Sequence, residues 1–201
     1  MNLYLIRHGE TDWNKTSRLQ GHTDIPLNNN GKMQVSHAAD IIADVCPNVD
    51  VIISSPLSRA CESAAIIADR LDYKNENIII EQLLIERSFG KGEGLTALER
   101  NEKYPGNIFP DMESYEDLIH RARSVFLSIT KQFADKQNVL IVAHGAILYA
   151  IVTAITDEKI TYGGNLLTFH PGSIFRLKYS DKKMEIAGYD ADKNVFTEIL
   201  Y

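Results

Sequence analysis

The chain has 201 residues, 44% hydrophobic and 24% charged, a composition that suits one compact α/β domain and does not fit the disordered or coiled-coil classes. Its formal net charge of −6 argues against non-specific adhesion to nucleic acid or to an anionic membrane, because such binding needs clustered Lys and Arg. Any phosphate chemistry must rest on a few local cations.

Asn2 to Ile6 is a short apolar run that reads as a buried strand and delivers Arg7-His8-Gly9 to its carboxyl end. It is too short for a secretory signal and follows no basic region, so a cytoplasmic placement is expected. The segment through Asn30 is rich in Gly, Asn, Asp and Thr and reads as a long loop, a length that is usually functional. From Gly31 to Val45 a helix carries Val35, Ala38, Ala39, Ile42 and Val45 on one face, and Cys46-Pro47-Asn48 ends it. Val51 to Ser54 reads as a second buried strand. Ser55 is then placed to cap a helix with Pro56 in its first turn and a stripe from Leu57 through Ala60, Cys61, Ala64 and Ala68 to Leu71. Arg59 lies off that stripe. Cys46 and Cys61 have no paired or metal-ligating spacing and read as buried, reduced thiols.

Ile78 to Ile80 is a third strand candidate, followed by a Gly-rich segment that contains Glu86. Thr96 and Glu99 form a capping-box pattern for a short helix stopping before Pro105. A long amphipathic helix begins near Ser114 and runs through Leu118, Ala122, Val125 and Ile129 to Phe133. Val139 to Ala143 is the most apolar strand and delivers His144-Gly145 to its end. The helix from Ala146 to about Ile155 is too short to cross a bilayer. From Leu166 to Tyr201 the pattern alternates around a Ser180-Asp181-Lys182-Lys183 turn, as an antiparallel edge would. The order of elements predicts one domain over residues 1–201, a three-layer α/β/α sandwich with a mostly parallel central sheet and an antiparallel edge.

In open α/β sheets ligands bind beyond the carboxyl ends of strands, where His8 and His144 would meet. A lone His-Gly pair is better explained as a turn beside a strand end, and a lone Arg as half of a surface salt bridge. The set of Arg7, His8, Arg59 and His144 is better explained as a phosphate site, since two guanidinium forks match the oxygens of a phosphoryl group. The glycine after each histidine would let a ligand approach the backbone. Phosphoryl transfer also needs a proton donor for the leaving oxygen, and Glu86 is the candidate. The six histidines show no HExxH, HxH or His-Asp ligand spacing, so no metal is expected. Nucleophile-elbow, P-loop and dinucleotide-binding patterns are absent.

Leu5-Ile6-Arg7-His8-Gly9-Glu10-Thr11 with Trp13-Asn14 resembles the signature opening of the histidine phosphatase superfamily, in the branch that contains cofactor-dependent phosphoglycerate mutase. The resemblance continues through Arg18-Leu19-Gln20-Gly21, Ser54-Ser55-Pro56-Leu57-Ser58-Arg59-Ala60, Leu84-Ile85-Glu86-Arg87-Ser88-Phe89-Gly90 and Val142-Ala143-His144-Gly145. It implies the phosphoglycerate mutase-like fold and a nucleophilic His8 that is transiently phosphorylated. It also implies a phosphate pocket of Arg7, Arg59 and His144, with Glu86 as general acid and base. Thr11, Asn14, Gln20, Gly21 and Gly145 are implied to contact substrate. Neighbouring arginines favour a neutral His8, as a nucleophile requires, but also a charged Glu86, so Glu86 is expected to gain its proton in the substrate complex.

The interval from Glu86 to His144 is shorter than in the glycolytic mutases, and the Gln20-Gly21 pair resembles the phosphatase members. Both favour a metal-independent and cofactor-independent phosphomonoesterase for a small phosphorylated metabolite, with the segment from Lys91 to Pro110 setting specificity. A cofactor-dependent phosphoglycerate mutase is the nearest alternative, and a non-catalytic phosphate-binding or scaffold protein is one of another class. Pro171-Gly172-Ser173 and Ser88 depart from the pattern of many relatives, and oligomeric state is left open.

Overall fold

The computed structural model describes residues 1–160, 167–180, 183–191 and 193–200. Among them the elements run β1 (Asn2–Arg7), α1 (Asp12–Lys15), α2 (Asn29–Val45), β2 (Val51–Ser54), α3 (Ser58–Arg70) and β3 (Ile79–Ile80). They continue with α4 (Ala97–Lys103), α5 (Tyr115–Gln132), β4 (Asn138–Ala143), α6 (Gly145–Ile155), β5 (Ile174–Ser180), β6 (Lys183–Asp190) and β7 (Val195–Glu198). Short 3-10 turns at Gln82–Leu84 and Gly90–Gly92 flank the Glu86 segment.

The strands form one seven-stranded sheet in the order β3-β2-β4-β1-β5-β6-β7. The pairings β2·β3, β2·β4 and β1·β4 are parallel, and β1·β5, β5·β6 and β6·β7 are antiparallel. The expected parallel core with an antiparallel edge is therefore the observed architecture. Residues 181 and 182, the centre of the expected turn, and residues 166 and 201 at the limits of the tail lie outside the described residues.

Alternation along each strand separates two cores. Leu3, Leu5, Val51, Ile53, Val139 and Ile141 pack with α5 and α6, while Tyr4, Ile6, Ile52, Leu140 and Val142 pack with α2 and α3. A strand buried on both faces must be apolar throughout, which is why β4 reads as a continuous run. Full burial of one such Leu, Ile or Val side chain contributes roughly 1.5–3 kcal/mol.

Local signals set the helix starts, with two corrections. Asn28 caps α2 through a bond from the Gly31 N–H at 2.8 Å, and Ser114 caps α5. The expected Thr96–Glu99 capping box is present at α4. Helix α3, however, begins at Ser58, and its cap is not Ser55: Asp24 Oδ1 accepts from the Ser58 N–H at 2.8 Å and from its hydroxyl at 2.7 Å. The second correction concerns the long loop, which contains the single turn α1, closed by a reciprocal Thr11–Asn14 capping box. Val45 is exposed rather than part of the buried face of α2, and Cys46 is buried beside it. Cys61 is only partly buried, and its thiol donates to the Ser55 carbonyl at 3.2 Å.

Candidate active site

Strands β1 and β4 are parallel neighbours paired Arg7 to Ala143, so the residues that follow, His8 and His144, emerge side by side. Their ring centroids are 5.0 Å apart. A cavity of about 520 Å3 opens there, and Arg7, His8, Arg59 and Glu86 reach its wall together with Asn14, Gln20, Gly21 and Gly145.

His8 is buried, and its Nδ1 lies 2.6 Å from the Gly9 carbonyl. A carbonyl only accepts, so the ring proton sits on Nδ1 and the lone pair on Nε2. Burial first, then the charges of Arg7 and Arg59, hold the His8 pKa well below its ordinary value. The ring is therefore neutral at pH 7, with an unprotonated Nε2, and it lines the cavity.

Arg59 is fully buried, although its position lies off the apolar stripe of α3. It donates from Nη1 to the Thr23 carbonyl at 2.9 Å, from Nη2 to the Gly21 carbonyl at 2.8 Å and from Nε to His144 Nδ1 at 3.1 Å. Burial lowers its pKa to about 10, with Glu86 and Asp24 acting in the opposite sense, so it stays charged at neutral pH. One further N–H on each terminal nitrogen is left for a ligand. Arg7 donates from Nη1 to the Phe169 carbonyl at 2.5 Å.

Two of the expected site residues, His144 and Thr11, do not line the cavity themselves. His144 is fully buried, and both its nitrogens are engaged: Nδ1 accepts from Arg59, so the proton is on Nε2, which donates to Ser55 Oγ at 2.6 Å. It braces Arg59 in this arrangement. Thr11 is also fully buried and does not line the cavity, its hydroxyl being committed to the α1 cap. Asn14 does line it. Its Oδ1 accepts from the Thr11 N–H and hydroxyl, both at 3.1 Å, which leaves its Nδ2 donors for the cavity.

The two glycines after the histidines differ. A Cβ at Gly9 would lie 2.2 Å from the Gly31 carbonyl oxygen, so Gly9 serves chain packing and not ligand approach. Gly145 does face the cavity. Gly21 is required for a separate reason, with φ +56° and a Cβ position 2.0 Å from Glu93 Oε1. The Glu93 carboxylate in turn accepts from the His22 and Thr23 N–H groups at 3.0 Å and from Phe89 N–H at 3.1 Å, tying the two loops of the cavity together. Gln20 is buried, and its Oε1 has no partner among the described residues.

Glu86 is buried, unlike an ordinary loop carboxylate. Its Oε1 accepts from the Arg87 N–H at 2.9 Å and the Ile147 N–H at 3.1 Å, and Oε2 from the Ala146 N–H at 3.2 Å. The amino terminus of α6 thus receives a carboxylate from the other side of the cavity. Apolar side chains complete the wall, among them Leu19, Phe89, Tyr149 and Phe169, none of which the sequence marked as site residues. Tyr149 follows His144 by five positions on an apolar helix and reads as core, and nothing local marks Phe169. Among the described residues no group of three His, Cys, Asp or Glu side chains could hold a metal ion, and no helix is long and apolar enough to cross a membrane.

The neutral histidines make stability pH-dependent. In the unfolded chain they titrate near the ordinary value of 6.5, and in the fold the pKa of each lies well below it. Below pH 6.5 the unfolded state therefore binds more protons, and stability falls as pH falls. The contribution is fully present above that pH and is lost on acidification at up to about 1.4 kcal/mol per pH unit for each histidine. Urea unfolding in phosphate-free buffer between pH 7.5 and 5.5 should show this slope, and His8→Asn should reduce it. An unchanged slope in the variant contradicts the assignment.

A parallel-cored α/β/α sandwich with two histidines at adjacent strand ends defines a phosphoglycerate mutase-like protein. The chain belongs to the histidine phosphatase superfamily, branch 1, whose family model matches residues 3–192. It is 34% identical over 191 residues to the uncharacterized phosphatase PhoE of Bacillus subtilis, an alignment covering 95% of each chain. It is 30% identical over 162 residues to the 2,3-bisphosphoglycerate-dependent phosphoglycerate mutase 2 of Gloeobacter violaceus, covering 75% of this chain and 73% of the relative. Among solved structures, YhfR of Bacillus stearothermophilus superposes with a TM-score of 0.80 at 26% identity, over 93% of this chain and 95% of that one.

Proposed function

We propose that this chain is a metal-independent phosphomonoesterase that acts on a small phosphorylated metabolite through a phosphohistidine on His8. The observation that carries the reading is the single tautomer of His8, with Nδ1–H held by Gly9 and the ring lining a cavity that the guanidiniums of Arg7, Arg59 and Arg18 also line. Nε2 attacks phosphorus while the ester P–O bond breaks. Glu86 gives its proton to the departing oxygen, and Arg7 and Arg59 stabilise the charge on the equatorial oxygens. Water then gives a proton to Glu86 as its oxygen attacks phosphorus. The N–P bond breaks, its electron pair returns to Nε2, and phosphate leaves. Glu86 Oε2 accepts only one backbone donor, against two at Oε1, which makes it the oxygen with room for the transferred proton.

Glu86→Gln should lower kcat for an alkyl phosphate by about 100-fold and remove its pH dependence on the acid group. A pH profile unchanged by the substitution overturns the assignment. Release of free phosphate from 3-phosphoglycerate, without 2-phosphoglycerate, supports hydrolysis over transfer back to substrate.

A second cavity of about 230 Å3 shares Leu19 and Phe89 with the first, and residues Arg100, Asn107 and Phe109 of the 91–110 segment line it with Arg87. Its position supports that segment as the specificity element. Arg100→Ala should raise KM roughly tenfold for esters bearing a second acidic group, the loss of one charge-assisted contact, and leave glycerol phosphate unchanged. Equal changes for both esters would remove the segment from substrate selection.

A further inference from the structure

We propose that Arg121 and Glu113 form a clasp that sets the position of Glu86, making Arg121 a positioning residue for proton transfer to the leaving group. Arg121 projects from α5 and is 14% exposed at its side chain. Its Nε and Nη2 donate to the two Glu113 carboxylate oxygens, each at 2.8 Å. Its Nη1 donates to the carbonyls of Leu83 at 2.7 Å and Ile85 at 2.8 Å, and Nη2 reaches the Glu86 carbonyl at 3.4 Å.

Glu113 holds the other side of the same loop. Its N–H donates to the Ser88 carbonyl at 2.9 Å, and its own carbonyl accepts from Arg87 Nε at 3.0 Å and Nη2 at 2.9 Å. The backbone from residue 83 to residue 88 is thus pinned from both sides by two residues. Among the described residues no strand ladder holds this segment; His22 Nε2 also meets the Glu86 carbonyl at 2.9 Å, and the clasp adds the contacts to the carbonyls of Leu83, Ile85 and Ser88 on either side of it.

The pair is better explained by geometry than by stability. A partly buried ion pair can often be replaced by apolar residues at no cost to folding, whereas a bidentate guanidinium fork fixes direction in a way that a lysine point charge cannot. The direction matters because the Glu86 carboxylate must meet both the α6 N–H groups and the leaving oxygen. A displacement of about 1 Å at a reacting group can cost about 100-fold in rate.

The inference rests on the reading of Glu86 as the proton donor, and the test separates the two. Arg121→Met, Arg121→Lys and Glu86→Gln are compared on p-nitrophenyl phosphate, whose leaving group needs no proton, and on glycerol phosphate, whose leaving group does. Arg121→Met should lower kcat for glycerol phosphate by about 10- to 50-fold, leave p-nitrophenyl phosphate within about threefold, and leave both KM values within about threefold. Arg121→Lys should keep the charge and the melting temperature but recover little of the lost kcat. Equal losses on the two esters, or none, overturn the clasp if Glu86→Gln itself discriminates between them. If Glu86→Gln does not discriminate, the proton-donor reading falls and takes the clasp with it. Should Arg121→Met fail to fold, Glu113→Gln loosens the same bidentate pair and is read by the same comparison.

Discussion

His8→Ala is expected to lower turnover of any phosphomonoester by on the order of 10000-fold and to abolish the acid-labile phosphoenzyme, because among the described residues that line the cavity no other imidazole and no thiol is present to replace Nε2. His144 cannot take over, since Arg59 and Ser55 occupy its two nitrogens and it does not line the cavity. Rapid quench with labelled substrate measures the phosphoenzyme, and steady-state rates in the presence of a chelator measure turnover. Activity that survives in the variant, or that needs a divalent ion, defeats the mechanism.

Arg59→Ala is expected to damage both the fold and the reaction. The guanidinium is buried with hydrogen bonds to two loop carbonyls and to His144, so truncation leaves those acceptors unpaired away from water. A loss of about 3–5 kcal/mol in urea unfolding follows from the buried acceptors and the lost charge-assisted bonds. At a temperature where the variant is folded, kcat/KM should fall by about 100- to 1000-fold, the scale for removing a donor aimed at developing oxyanion charge. Arg59→Lys should retain part of the stability and little of the rate, since one ammonium cannot span Gly21, Thr23 and a phosphoryl oxygen. Wild-type stability in Arg59→Ala would show that the loop carbonyls find other donors.

The layers of the fold were legible because their signals are local. Strand β4 is a run of apolar residues bounded by polar ones, and α5 announces itself through Ser114 and the stripe from Leu118 to Ile129. The site was legible as a set of residue types at strand ends and through its resemblance to a family. What pattern could not show is where long-range partners come from. Ser55 looked like a helix cap because Ser before Pro often is one, but its hydroxyl accepts from His144, 89 positions away, at 2.6 Å and from the Leu57 N–H only at 3.4 Å, and Asp24 holds the Ser58 N–H from a distant loop. Arg59 was legible as a site cation off the apolar stripe, but its full burial was not, because the carbonyls that need it belong to residues 21 and 23. Glu86 was a candidate by residue type, but its burial was not legible, because its donors are the first N–H groups of a helix about 60 residues later.

The sheet order also bears on biosynthesis. β1 precedes every other described strand in the chain, yet among the described residues it pairs with β4 and β5, at residues 138–143 and 174–178. Gly172 N–H then closes onto the carbonyls of Arg7 and His8 at 3.1 and 3.2 Å. Strand β1 is therefore apolar and without its first partner until residues 138–143 have been made, and without its second until residues 174–178, and such distant pairing is slow and aggregation-prone. Nascent chains ending before residue 170 should lack a settled His8 however much of α2 and α3 they contain, so assembly of the segment around His8 becomes one of the last events of folding.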